Sequence, residues 1–247
     1  KLAEGIDGLV LDIKTGSGAF MKSYQDAINL ANSLIQTARS FNKNVITFIT
    51  DMNQPLGNYI GNWLEVYESI QVLNGKVKND LYLLSIKLAG TMIYLGKKAK
   101  SIQEGERIAK QKIENGEALT KFLEIVELQG GDLNYIINPD KYPKSKFVKK
   151  VRSVKNGYLK EINTNQIGMA SLELGAGRRT KDDMIDYKAG IIFYKKIGAF
   201  INKGEIICEL HSDSGTKIIS AEQMISESIQ FSKTKPVSPK LIKRVIQ

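Results

Sequence analysis

The hydrophobic pattern of the first fifty residues changes from strand to helix and back to strand. Residues 8–13 (GLVLDI) are almost all apolar, as in a short buried strand, and residues 45–50 (VITFIT) repeat that composition. Between them, small and apolar residues recur at helical spacing, at Ala27, Ala31, Leu34, Ile35 and Ala38. A strand, a helix and a second strand in this order predict a βαβ unit, in which the two strands lie parallel in one sheet.

The middle of the chain is predicted to be helical. Apolar positions at helical spacing predict helices over residues 60–70, 80–98, 101–115 and 117–129. Ser23 with Asp26, and Ser101 with Glu104, have the spacing of capping boxes at helix starts. Glycines and prolines over residues 130–150 then predict a domain boundary.

From Val151 the pattern becomes strand-like. Residues 157–162 and 190–194 predict strands, residues 167–174 fit either a short helix or a strand, and residues 219–231 predict a helix. Residues 198–207 have the spacing of a hairpin that turns at 202–204, similar to the closing hairpin of a biotinyl/lipoyl-type barrel. The predicted fold class is therefore α/β, with a partly parallel sheet and flanking helices, followed by a smaller β-rich (α+β, biotinyl/lipoyl-barrel-like) C-terminal domain.

Charge and cysteine content narrow the range of partners. The formal net charge is +10, and residues 141–160 and 231–247 carry basic residues and no acidic ones. Such surfaces attract nucleic acid or anionic substrates. Because lysine, the poorer residue for base readout, far outnumbers arginine, we expect a solvated face and no nucleic-acid partner. No apolar run reaches membrane-spanning length, so no membrane partner is expected. The single cysteine, Cys208, suits a cytoplasmic protein and is predicted to be a core residue.

Few residues suggest chemistry by themselves. Gly16-Ser17-Gly18 follows the first predicted strand, where open α/β sheets bind ligands through backbone N–H groups, although tight turns have the same composition. His211 is the only histidine, so a zinc site is not expected, and we interpret it as structural or exposed. Arg178-Arg179 fits a locally paired turn or an anion contact, and Trp63 fits a core position better than a stacking platform.

Three longer segments resemble the thymidine and pyrimidine-nucleoside phosphorylase family. They are KLAEGIDGLVLDIKTGSGAFMKSYQDA (residues 1–27), TDMNQPLGNYIGNWLEVYESI (50–70) and LGAGRRTKDDMIDYKAGI (174–191). The resemblance implies a pentosyltransferase that uses phosphate as co-substrate to split uridine, thymidine or deoxyuridine into base and pentose 1-phosphate, in nucleotide salvage. It also implies a homodimer and three parts of the chain: a remnant of a small helical domain (1–4), an α/β domain (5–140) and a C-terminal domain (151–247).

The resemblance also assigns individual residues. Phe20 matches a position that lines the base pocket. The backbone carbonyls of Leu56 and Tyr59 and the carboxylate of Glu68 match the ligands of a potassium ion. The family's K-H-S-x-G-G and R-x-x-T segments, and its substrate serine and lysine, do not occur in this sequence; Lys1 matches the lysine beside the substrate lysine. We therefore expect no catalytic residue here, and a chain that is inactive and poorly dimeric by itself.

Other functions fit parts of the sequence. The QPLG segment resembles the broad-specificity branch, and a strict thymidine phosphorylase is the nearest alternative. A non-catalytic C-terminal binding module is a second. A carrier domain would need a modifiable lysine at a hairpin tip, and Lys203 lacks the expected sequence context. An enzyme of the anthranilate phosphoribosyltransferase type would not have the domain that begins at Val151.

Overall fold

The computed structural model describes residues 2–247, so Lys1 and the prediction made for it lie outside the described residues. The chain forms two compact units. The first unit runs up to Met52 and also contains Gln71–Gly130 and Lys240–Gln247. The second unit contains Asn53–Ile70 and Gly131–Pro239.

The predicted helices and most of the predicted strands are present. Residues 59–61, 133–137, 147–152, 229–232 and 242–246 form elements that the sequence pattern did not predict. The helices are α1 (Tyr24–Ser40), α2 (Trp63–Leu73), α3 (Asp80–Leu95), α4 (Ile102–Glu114), α5 (Glu117–Leu128), α6 (Leu133–Ile137), α7 (Thr164–Ser171) and α8 (Gly215–Ser228). The strands are β1 (Gly8–Thr15), β2 (Asn44–Asp51), β3 (Tyr59–Gly61), β4 (Phe147–Arg152), β5 (Gly157–Ile162), β6 (Gly190–Phe193), β7 (Phe200–Ile201), β8 (Ile206–Ser212), β9 (Ile229–Ser232) and β10 (Ile242–Ile246).

The first unit is built on the predicted βαβ element. Strands β1 and β2 are parallel, in register from Gly8 opposite Asn44 to Thr15 opposite Asp51, and β10 adds to β2 in the antiparallel direction. Helix α1 begins at the predicted capping box, where the Ser23 hydroxyl accepts the N–H of Asp26 at 3.1 Å. The parallel pair and the α/β fold class are confirmed.

Helices α3 and α4 of the first unit pack with their backbones in close contact. A Cβ atom added at Gly105 would lie 2.1 Å from the carbonyl oxygen of Gly90. Only glycine fits at this crossing, and around it Val72, Tyr82, Ile86 and Ala109 form a buried cluster. Helix α4 starts at its predicted capping box, in which the Glu104 N–H donates to the Ser101 hydroxyl at 3.1 Å.

The second unit contains two antiparallel sheets, with strand orders β3-β6-β8-β4 and β7-β5-β9. Helices α7 and α8 pack on each other and on the buried faces of these strands. The largest fully buried side chains of this core are Phe193, Leu159, Ile167, Leu174, Ile191, Ile201, Ile207, Leu210 and Ile225. The segment that fitted either a helix or a strand, residues 167–174, is helical.

The predicted hairpin over residues 198–207 is wrong. Strand β7 pairs with β5, whereas β8 lies between β6 and β4 in the other sheet. A turn at residues 202–205, closed by the Glu205 N–H on the Asn202 carbonyl at 3.0 Å, passes the chain from one sheet to the other. Both apolar runs bury their side chains in one core, at Ile201 and Ile207, so the pattern of burial did not reveal which sheet each strand joins. The helix expected at 219–231 is α8, which ends at Ser228 before β9.

Candidate functional site

The glycine-rich turn lies at the carboxyl end of β1, as the sequence predicts. Gly16 has a φ of +125°, a conformation that L side chains rarely adopt. The N–H groups of Gly16, Gly18 and Ala19 donate to the carbonyls of Met21, Met52 and Gly16, at 3.2, 2.9 and 3.1 Å respectively. These three amides hold the turn together and are not turned towards an anion. The side chain of Phe20, the predicted base contact, is 96% exposed beside them.

A polar group on β1 and β2 was not singled out from the sequence. The Lys14 ammonium lies 2.5 Å from a carboxylate oxygen of Asp12, and the Thr50 hydroxyl donates to the other oxygen at 2.5 Å. Asp12 and Lys14 are two residues apart in a strand and therefore share a face. That spacing is visible in the sequence and is the signal that could have identified the group.

The second candidate element is the turn of residues 54–59, which we call the 54–59 turn. Glu68, on α2, is 2% exposed and accepts the N–H groups of Asn58 at 2.8 Å and of Tyr59 at 3.3 Å. Gly57 has a φ of +66°, and a Cβ atom there would lie 2.3 Å from a carboxylate oxygen of Glu68. The structure thus brings Glu68 into contact with the turn that contains Leu56 and Tyr59.

Residues that follow β6 hold the same turn from the other side. The Lys196 ammonium donates to the carbonyls of Pro55 at 2.5 Å and Gly57 at 2.6 Å. The Ile197 N–H donates to the side-chain oxygen of Gln54 at 2.8 Å, and the Phe193 N–H donates to the Asn58 carbonyl at 2.6 Å. Sequence reasoning missed Lys196 because its partners lie about 140 positions away and no local pattern connects them.

An aromatic group borders a cavity of about 260 Å³ in the second unit. The rings of Trp63 and Tyr142 are stacked with centroids 3.9 Å apart, and Tyr135 meets both edge-on. Trp63 is half-buried and not in the core, which corrects the core position expected for it, and its ring stacks within the chain, on that of Tyr142. Burial raises the pKa of the Tyr59 and Tyr67 phenols at this cavity, and nearby negative charges add to the effect.

The other titratable residues considered from the sequence, Cys208, His211 and Arg179, are buried or paired within the chain. Burial raises the pKa of the Cys208 thiol to about 12, so it stays protonated and unreactive in the core, as predicted. Burial also lowers the pKa of His211, whose Nε2 has no hydrogen-bond partner. Arg179 forms an ion pair with Glu173, which supports the interpretation as a locally paired turn.

Within residues 2–247, no three His, Cys, Asp or Glu side chains are grouped as a metal site would need. No helix in this range is long and apolar enough to cross a membrane.

Comparison with known proteins matches both parts of the chain. Residues 1–119 match the family described as the glycosyl transferase family a/b domain, and residues 158–232 match the pyrimidine nucleoside phosphorylase C-terminal domain. The chain is 40% identical over 246 residues to a protein of Staphylococcus epidermidis named pyrimidine-nucleoside phosphorylase. Proteins of the same name from Staphylococcus haemolyticus and Staphylococcus aureus are 38% and 39% identical. All of this chain aligns in each case, and it spans 56% of the length of these relatives.

Proposed function

The chain belongs to the pyrimidine-nucleoside phosphorylase family, and on that premise we propose that it takes part in the phosphorolysis of pyrimidine nucleosides. In this reaction phosphate attacks the anomeric carbon of uridine, thymidine or deoxyuridine. The bond to the base breaks, and the products are the free base and a pentose 1-phosphate. The observation that carries the proposal is that both family models match this one chain, and that the whole chain aligns with relatives named pyrimidine-nucleoside phosphorylase.

We assign the base contact to Phe20. Its ring is exposed on the turn at the carboxyl end of β1, the edge of an open α/β sheet where ligands bind. The amides of Gly16, Gly18 and Ala19 are engaged with the carbonyls of Met21, Met52 and Gly16, so these three are not available to hold phosphate. We expect the phosphate co-substrate to be held by residues that this chain does not contain, and no catalytic residue within it.

The 54–59 turn fits a monovalent cation. Phe193 donates to the carbonyl of Asn58, directly opposite it, so the next pair, Tyr59 and Ile192, is a position without cross-strand hydrogen bonds. The N–H and the carbonyl of Tyr59 therefore both point away from β6, and the N–H meets the carboxylate of Glu68. A carboxylate beside an outward-facing carbonyl is a suitable environment for a hard, singly charged ion.

Potassium is the ion that the family resemblance implies at this turn. The carbonyls of Leu56 and Tyr59 and the carboxylate of Glu68 would hold it, and Glu68 is anchored for that role by the N–H groups of Asn58 and Tyr59. When bound, the ion would supply positive charge near an anionic co-substrate.

We further propose that the protein is a cytoplasmic homodimer. In each subunit, residues 5–140 would form the α/β domain, residues 151–247 the C-terminal domain, and residues 1–4 the end of a helical domain.

Uracil release from uridine tests the proposed function. The 247-residue chain is compared with a fusion in which the upstream part of the Staphylococcus epidermidis relative precedes it. We expect no release by the chain alone and phosphate-dependent release by the fusion, at an enzymatic rate of roughly 1–10³ per second. Phe20→Ala in the fusion should raise KM for uridine, whereas Phe41→Ala, at another exposed phenylalanine of the first unit, should not.

Two results would contradict the proposal. Turnover by the chain alone would show that it contains its own catalytic residues. A folded fusion that binds uridine but releases no uracil would instead indicate a non-catalytic binding module. Equal turnover of uridine and thymidine would support broad specificity over a strict thymidine phosphorylase.

A further inference from the structure

The 54–59 turn is held mainly by residues that are distant from it in sequence. Glu68 binds its N–H groups from one side, and the segment after β6 binds its carbonyls from the other. The contact of Lys196 is charge-assisted, because one ammonium group serves two carbonyls at 2.5 and 2.6 Å. Hydrogen bonds from a charged donor are shorter and stronger than those between neutral groups.

We propose that Lys196 is a positioning residue that fixes the 54–59 turn. Its ammonium clamps the carbonyls of Pro55 and Gly57, which flank Leu56. This rests on the proposed function, in which the carbonyls of Leu56 and Tyr59 and the carboxylate of Glu68 hold a monovalent cation. Its two carbonyl contacts are with Pro55 and Gly57, so through them it acts on the ion by setting the shape of the backbone that presents the ligands.

The alternation of carbonyls along the turn supports this role. Pro55 and Gly57 direct their carbonyls to Lys196, and Asn58 directs its carbonyl to the Phe193 N–H. Leu56 and Tyr59 are the two positions that the resemblance assigns to the ion. A backbone clamped at residues 55, 57 and 58 leaves little freedom to the carbonyl of Leu56, which lies between them, and to that of Tyr59, which follows directly.

The neighbouring lysine has a different partner. Lys195 forms an ion pair with Glu205, in the turn between β7 and β8, and makes none of the carbonyl contacts of Lys196. It is adjacent in sequence, carries the same charge and is also partly buried. Lys195→Met is therefore a matched control for Lys196→Met, because it removes an equal charge and an equal number of atoms.

Amide hydrogen exchange of the 247-residue chain tests the proposal. The amides of Asn58, Tyr59 and Ile197 report on the turn, and the amide of Asn163, which donates to the Ser228 carbonyl at 2.7 Å, reports on a contact elsewhere in the second unit. In Lys196→Met we expect the turn amides to exchange at least about ten-fold faster, because two charge-assisted bonds are lost. Exchange at Asn163 should stay within about two-fold.

Two further variants separate positioning from general stability. Lys196→Arg keeps the charge and offers several donors, so it should restore turn exchange to within about three-fold. Lys196→Gln, which offers two uncharged N–H donors on a shorter side chain, should be intermediate and covers the case in which the methionine variant does not fold. Lys195→Met should leave turn exchange unchanged.

The proposal is overturned if the turn amides of Lys196→Met exchange as slowly as those of the wild type, or if exchange at Asn163 accelerates in parallel with the turn.

Repeating the exchange measurement with potassium chloride in place of choline chloride tests separately whether the turn binds the ion. Slower turn exchange with potassium in the wild type, lost in Lys196→Met, supports the full proposal. A potassium response that appears only in Lys196→Met would mean that the ammonium replaces the ion, and would overturn it. Turn opening without any potassium response upholds the clamp and removes the ion site from the proposed function, whereas phosphorolysis is decided by uracil release alone.

Discussion

Gly57→Ala tests the description of the 54–59 turn most directly, because the substitution strains the backbone and displaces Glu68. Gly57 has a φ of +66°, and a residue with a Cβ atom in this left-handed region costs about 1–2 kcal/mol. The new Cβ would also lie 2.3 Å from the Glu68 carboxylate, which would have to withdraw. If it gives up its bond to the Asn58 N–H, a further loss of about 1.5–3 kcal/mol is expected for a hydrogen bond to a charged group.

Together these terms predict that Gly57→Ala lowers the free energy of unfolding by about 2.5–5 kcal/mol. The assay is urea denaturation followed by circular dichroism. Gly168→Ala is the control: Gly168 is exposed in α7, nothing lies within 4 Å of its added Cβ, and the change should stabilise by about 0.5–1 kcal/mol. If Gly57→Ala matches the wild type or behaves like Gly168→Ala, the description of the turn is wrong.

Two further predictions concern packing and pH. Gly105→Ala should destabilise the first unit by about 1–3 kcal/mol, since the new methyl group meets the Gly90 backbone and the two helices must separate; an unchanged urea midpoint would refute the close crossing. Because burial lowers the pKa of His211, the folded chain binds fewer protons than the unfolded chain, and the stability due to this residue is present above the unfolded value of about 6.5 and is lost as the pH falls below it. Between pH 7.5 and 5.5 the wild type should lose more stability than His211→Gln, and an imidazole NMR signal that titrates above about 6.5 would contradict this.

Local patterns predicted the elements whose chemistry lies within a few residues. The capping boxes at Ser23 and Ser101 depend on positions three residues apart, and both form as expected. The parallel pair of β1 and β2 follows from a helix of sufficient length between two apolar runs. The expected hairpin was wrong because strands of two different sheets can bury their side chains in the same core. Burial of Ile201 and Ile207 therefore does not specify the partner strand of either segment.

The candidate site was predictable only in part. Family resemblance directed attention to Leu56, Tyr59 and Glu68, and the structure places the Glu68 carboxylate against that turn. Nothing near Lys196 in the sequence distinguishes it from Lys195, although only Lys196 reaches the Pro55 and Gly57 carbonyls. Long-range hydrogen bonds to backbone carbonyls require no particular partner side chain, so they leave no pattern that a single sequence could reveal.

Strand β10 has a consequence for how the chain can be divided. It is made by residues near the C-terminus, yet it pairs with β2 of the first unit, and its Lys243 ammonium lies 2.8 Å from the carboxylate of Asp51, whose side chain is 4% exposed. Removing residues 240–247 would uncover the hydrogen-bonding edge of a strand that is buried along nearly its whole length. Uncovered edges of this kind pair with other molecules. A shortened protein that keeps residues 158–232, the part that matches the C-terminal family model, but ends before β10, should therefore aggregate.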